Sequence, residues 1–347
     1  MTKKSLAVFG SLSCLFYMGV GSTQVTPQDD PMRLRMNVVL VQLNVAVTDS
    51  HGNYVTGLRP EDFSVSEDNI TQNVSTFEES RDSGPDAAVS AHGEQGKDSK
   101  SVANAIPKTT EANMFILFDT SNYMYRSFVF AQDAIADFIR SMDGSSRIAF
   151  YSYSRNLLRA TSLTPDPFQV INGVRTSVAG DDAALYNSLL LTVKDAAPLK
   201  GRKAVVVFSN GPDNASSVPP EDVAELAEST GTIIYILSTR QAQDDPASAA
   251  AFERVSKASG GKAYFAKDWR QEKKAFASIR EDLVHLYTLS YYPQSNPNRG
   301  WRSIKVKLVG KDLQKYHIRT RDGYRLLPGA ARSPDESASA NSGGESN

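Results

Sequence analysis

Between Met114 and Phe118 five apolar residues run without a break into Asp119 and a polar turn, Thr120-Ser121-Asn122-Tyr123. An apolar run this short, closed by a turn, reads as a strand buried on both faces. Ala204–Phe208, ending in Ser209-Asn210-Gly211, and Thr232–Leu237 repeat the pattern. Shorter strands are predicted at Arg147–Tyr153 and Lys262–Phe265. Segments of helical spacing alternate with these runs. Ser127–Met142 sets Phe130, Ala134, Phe138 and Ile139 on one stripe, and Ala183–Ala196 does the same with Leu185, Leu189 and Val193. Pro165–Val174, Pro219–Ser229, Ala247–Ser259 (stopped by Gly260-Gly261) and Gln271–Leu286 are the other helices. Repeated strand–helix units imply an α/β fold over residues 111–286, a doubly wound, mostly parallel sheet with helices on both sides. In such sheets ligands bind outside the carboxyl ends of the strands. The loops after Phe118, Val178 and Phe208 are therefore the candidate site. The plainer alternative is that Asp119 and Ser121 only cap the following helix and bind loop amides.

The flanks change period. Val39, Val41, Leu43, Val45 and Val47 alternate with Leu40, Gln42, Asn44, Ala46 and Thr48, the mark of a half-buried strand. Phe63–Glu67 and Val74–Phe77 are two more strands about a turn at Asp68-Asn69. Beyond the α/β segment, Tyr287–Tyr292, Ile304–Leu308 and Tyr316–Thr320 alternate likewise. Neither the unit at 37–79 nor that at 287–327 buries enough apolar area to stand alone. One small β-sandwich made from both, with the α/β domain inserted, is the simplest solution; two separate docked sheets are the alternative. Residues 80–110 and 328–347, rich in Ser, Gly, Ala, Asp and Asn, read as a disordered linker and tail.

Lys3-Lys4, the apolar run Leu6–Val20 and the small residues Gly21 and Ser22 describe a signal peptide over 1–23; a retained anchor is the alternative. The single cysteine, Cys14, lies inside that run with Ser11 three residues before it, which does not suit a lipoprotein. The exported chain thus has no disulfide, thiol nucleophile or Cys-based metal site. The expected location is secreted or periplasmic, with no membrane span after cleavage. A net charge of −1 excludes a basic nucleic-acid footprint. His51, His92, His285 and His317 show no metal-ligand spacing, and no hydrolase elbow, phosphate loop or zinc-protease motif is present.

Asp119-Thr120-Ser121-Asn122-Tyr123, Ala183-Ala184-Leu185-Tyr186-Asn187 and Ser209-Asn210-Gly211 together resemble the von Willebrand factor A domain. The closer resemblance is to the VWFA-related family of secreted, acidobacterial-type bacterial proteins. It extends to the flanks through Val45-Ala46-Val47-Thr48-Asp49, Val55-Thr56-Gly57-Leu58, Glu61-Asp62-Phe63, Leu289-Ser290-Tyr291-Tyr292-Pro293 and Ile304-Lys305-Val306-Lys307. The resemblance implies a Rossmann-like domain that binds proteins, often through a divalent metal such as Mg held by an Asp-x-Ser-x-Ser loop, a Thr and an Asp. Asp119 and Ser121 match that motif; Tyr123, Ala183 and Asn210 stand where the second serine, the threonine and the aspartate should be. The expectation is a degenerate metal site, to which Asp181, Asp182 and Asp213 would be an alternative source of oxygens, and a partner surface at Asn122, Tyr123, Tyr125, Asp181, Asp182 and Asp213. The function expected is adhesion or protein–protein interaction with a protein of the envelope or exterior, without catalysis. The alternatives are an exported hydrolase using Asp119 in the same crevice, and a structural envelope protein.

Overall fold

The computed structural model describes residues 40–80, 112–142, 146–239, 244–267 and 269–326. The signal peptide, the tail at 328–347 and all of the proposed linker except Ser80 lie outside them.

The α/β domain is built on a six-stranded sheet. In chain order its strands are β5 (Ala112–Asp119), β6 (Arg147–Tyr153), β7 (Leu157–Thr164), β8 (Arg202–Phe208), β9 (Thr232–Ser238) and β10 (Ala263–Phe265). The spatial order is β10-β9-β8-β5-β6-β7, parallel throughout except for the antiparallel edge strand β7. This is the doubly wound α/β architecture read from the sequence. Every residue of β5 is buried, as the unbroken apolar run requires. Met114, Ile116 and Phe118 point into one core layer; Phe115 and Leu117 point into the other. The first layer is covered by α1 (Phe128–Ser141), α2 (Pro167–Arg175) and α6 (Trp269–Val284). The second is covered by α3 (Leu185–Ala196), α4 (Pro220–Thr230) and α5 (Pro246–Ala258).

The flanking strands are β1 (Val41–Thr48), β2 (Phe63–Glu67), β3 (Ile70–Gln72), β4 (Val74–Glu79), β11 (Tyr287–Tyr291), β12 (Trp301–Leu308), β13 (His317–Arg319) and β14 (Gly323–Arg325). They interleave in two four-stranded sheets, β13-β1-β11-β4 and β14-β12-β2-β3. Strands from before and after the α/β domain thus share one core, in which Val41, Leu43, Val45 and Val47 meet Tyr287, Leu289, Tyr291 and Ile304. The sandwich expected from core size is present, and the two-sheet alternative falls.

Strand β1 corrects one expectation. It is not half-buried, because Asn44 and Ala46 on its second face are buried too, and Ala46 belongs to the core of the α/β domain. The sandwich and the α/β domain are therefore packed against each other. Arg321 lies in this junction and donates to the backbone oxygens of Glu228, at the end of α4, and of Gln42 in β1. Arg325 follows, pairing with Glu225 of α4 at 2.5 Å.

Burial, with Asp322 beside it, pushes the Glu228 carboxyl up to about 7; Arg321 opposes the shift and Glu225 adds to it. A folded carboxyl held above its unfolded value contributes stability that is complete below about 4.5 and is lost as pH rises through 7. Melting curves are expected to show stability falling between pH 5 and pH 8, by up to about 3 kcal/mol. Glu228→Gln is expected to flatten that profile; an unchanged slope would assign it to other groups.

Candidate functional site

Strand parity explains the centre of the site. Phe118 faces the first core layer, so Asp119 faces the second. Its register partner on β6 is Tyr153, and Phe118 pairs with Phe208 on β8, which brings Ser209 alongside Asp119. The three side chains make a closed relay. Tyr153 Oη donates to Ser209 Oγ at 3.0 Å, and Ser209 Oγ donates to Asp119 Oδ2 at 2.8 Å. The Gly211 amide also donates to Ser209 Oγ, and the Ser121 amide donates to Asp119 Oδ1 at 2.9 Å. Asp119 is completely buried. Burial holds its carboxyl above the usual range, against the pull of the Ser121, Ser209 and Tyr153 groups around it. Ser121 Oγ is buried close by but finds no hydrogen bond of proper geometry among the described residues.

Parity sends Asn210 the other way. Its Oδ1 accepts from the Thr239 amide at 2.8 Å and the Thr239 hydroxyl at 2.9 Å, tying the end of β8 to the end of β9. Asn210 is thus occupied on the far side of the strand end from Asp119.

The start of α3 is held from another loop. Ala184 occupies its N-cap position and supplies no side-chain cap. Asp213 replaces it, accepting from the Tyr186 amide at 2.9 Å and from the Ser216 amide at 2.8 Å. Asn214 Oδ1 accepts from the Ala183 amide, and Asn187 Oδ1 from the Ser217 and Val218 amides. The loops at 183–187 and 213–218 are therefore one laced unit.

The expected partner surface divides accordingly. Asn122, Tyr125 and Asp181 come together at the top: the Asn122 amide donates to the Asp181 carbonyl, and Tyr125 Oη donates to Asp181 Oδ1 at 3.1 Å. Tyr123 is half-buried in the same turn. Asp182 is turned aside into a pair with Arg155 at 2.6 Å. Asp213 is half-buried, with its carboxylate capping the start of α3. Sequence reading missed Val129 and Val178, which are 62% and 78% exposed. The segments that carry them are tied through Gln132, which donates to Val174 O and Ser177 Oγ, and through the Asp133–Arg175 pair. Gly180 lets this loop approach, since a Cβ there would sit 2.5 Å from Ser154 Cβ.

Do these residues fit a divalent cation? Magnesium requires near-octahedral oxygen ligands with fixed negative charge close by. Ser121 Oγ is an orphaned oxygen that would suit a ligand. Both Asp119 oxygens, however, already accept hydrogen bonds, Ala183 has no side-chain oxygen, and Asn210 is committed to Thr239. Of the neighbouring carboxylates, Asp182 is paired with Arg155, Asp213 caps α3 and Asp181 accepts from Tyr125 Oη, which leaves one buried carboxylate and one hydroxyl; that donor set does not fit the metal. Among the described residues no three His, Asp or Glu side chains gather as a metal cluster elsewhere, and no helix is long and apolar enough to cross a membrane.

No family model and no curated protein matches the chain. Solved structures that match part of the chain include an aerotolerance-related membrane protein from Bacteroides fragilis, at 15% identity over 50% of this chain and 98% of that one, with a TM-score of 0.42. They also include the vWF domain of the type V pili tip protein Mfa5 from Porphyromonas gingivalis, at 18% identity over 30% and 38% of the two chains, with a TM-score of 0.29. The SpRpn10 VWA domain is a third, at 13% identity over 48% and 94%, with a TM-score of 0.38. No residue role is carried across from any of them.

Proposed function

We propose that this chain is an exported interaction module of the von Willebrand A type that binds a protein partner through the loops at the carboxyl ends of its sheet, without a metal. The observation that carries this reading is the pairing of a sealed centre with an exposed apolar rim. Asp119, Ser209 and Tyr153 bond to one another beneath the surface. Tyr125 in the turn after β5, Val129 on the first turn of α1 and Val178 in the loop after α2 stand in solvent, and the segments that carry them are braced against each other. An exposed tyrosine on a rigid frame is the kind of side chain protein interfaces use as an anchor, and apolar neighbours such as the two valines serve to keep water from it.

The hydrolase alternative asks Asp119 to reach a substrate. A fully buried carboxylate with both oxygens engaged cannot do so without breaking the relay. The test is an envelope pull-down with the purified chain as bait. Val178→Asp and Tyr125→Ala should each weaken capture of the same partner about tenfold or more, and EDTA should leave it unchanged. Full binding by both variants would sink the top-surface reading.

A further inference from the structure

A second apolar feature runs down the side of the α/β domain, between α1 and α6. Both helices follow strands of one parallel sheet, so they run in the same direction. Phe138 stacks on Phe276 with ring centroids 4.9 Å apart, which sets their relative height. A groove of about 550 Å³ opens between them, lined by Ala134, Phe138, Phe276 and Ala277. Phe130, on the first turn of α1, borders this groove and is 70% exposed. A protruding aromatic ring and an apolar trough thus lie on one face.

The two walls differ in charge. The α1 wall carries Asp133 and Asp137; the α6 wall carries Lys273 and Arg280, with Glu272 close to the start of that helix. Several of these charges have local partners: Asp133 with Arg175 at 2.6 Å, Asp137 with Arg140 at 2.8 Å, and Arg280 with Glu281 at 3.7 Å. Such exposed pairs are weak and exchange readily for others.

Consider a two-fold axis lying in this surface, parallel to the helices and midway between them. Rotation about it carries α1 of one copy over α6 of the other without changing height. The two aspartates of α1 then meet the α6 wall, where Lys273 and Arg280 outnumber Glu272, twice. Asp137, one residue from Phe138, comes level with the stretch of α6 between Lys273 and Arg280. Phe130 of each copy is laid towards the trough of the other. The alternative axis, across the helices, would set acidic wall on acidic wall. We propose that the α1–α6 groove is the docking site for a second copy of this chain, two-fold, with α1 over α6 and Phe130 as the anchor. A two-fold contact needs a self-complementary patch, and this face supplies both the knob and the hole, and both signs of charge.

Sedimentation of the purified full chain over a range of concentrations tests this. The expected result is a monomer–dimer equilibrium. Phe130→Asp changes a solvent-exposed side chain, so the fold stays intact, and it should raise the dimer Kd about tenfold or more. Asp137→Lys and Arg280→Glu should each weaken the dimer, and the double variant should restore it, because the two-fold then pairs the exchanged charges. A chain that stays monomeric up to about 100 μM, well above the range of specific association, would overturn the proposal. So would a dimer indifferent to Phe130→Asp, or a failure of the charge exchange to rescue. If a monomeric chain instead loses another protein on Phe130→Asp, the groove belongs to that protein and the dimer assignment falls.

Discussion

Asp282→Ala is expected to lower stability by about 3–5 kcal/mol, the usual cost of removing one side of a buried ion pair. Asp282 lies on α6 and has no exposed surface. It accepts from Tyr54 Oη at 2.8 Å and Tyr235 Oη at 2.7 Å, and it pairs with Arg319. Tyr235 is in β9 of the α/β domain, Tyr54 follows β1, and Arg319 is in β13. One carboxylate therefore fastens the inserted domain to the strands before it and after it. Without it two phenol hydroxyls lose their acceptor and the Arg319 guanidinium, largely within the junction, keeps the Gly260 carbonyl but loses its counter-charge. Thermal unfolding should move down by on the order of 6–10 °C for a chain of this size. Asp282→Asn keeps an acceptor oxygen and should be milder. A loss below about 1 kcal/mol for the alanine variant would mean that water replaces the carboxylate.

A loss of similar size, about 3–5 kcal/mol, is expected for Glu67→Ala, but for the sandwich rather than the junction. Glu67 sits in β2 and is wholly buried. Its carboxylate accepts from Tyr291 Oη at 2.9 Å and Tyr324 Oη at 3.0 Å, and pairs with Arg302 at 2.8 Å. Arg302 is itself buried, so alanine strands a charge in the core between the two sheets. Urea unfolding followed by circular dichroism measures the loss. Arg302→Met in the Glu67→Leu background should recover part of it, because an apolar pair of similar volume removes both charges together. If Glu67→Ala were neutral, the inward side of β2 would have to be solvated.

How much of this was legible in the residues depends on the range of the interaction. The buried strands were plain because a run such as Met114–Phe118 has no solvent-facing position. Strand β7, by contrast, went unread. Leu157–Thr164 is an edge strand paired only to β6, with two register shifts, and its burial follows no two-residue period. The three-residue strands β3 and β14 are too short to show a period at all. The second buried face of β1 came from packing between domains, which no local pattern encodes.

The site was half legible for the same reason. Asp119 and Ser121 stood out by spacing, and Ser209 did not, although parity from Phe118 and Phe208 places it beside Asp119. Counting the strand-end residues by face would have found Ser209 and set Asn210 apart. The capping role of Asp213 was not legible because the helix it caps starts 28 residues earlier, at Leu185. The exposed Val129 and Val178 carry no motif, and only the solvent around them marks them.

The central claim is that the top of this sheet works as a metal-free apolar surface over a sealed Asp119. Thermal melts of the purified chain in Mg²⁺, in Mn²⁺ and in EDTA test it most directly. A cation bound at 100 times its dissociation constant would add about 2.7 kcal/mol, several degrees at this chain length. Superimposable curves are expected in all three conditions. A rise of that size with either cation, abolished by EDTA and by Asp119→Ala, would contradict it.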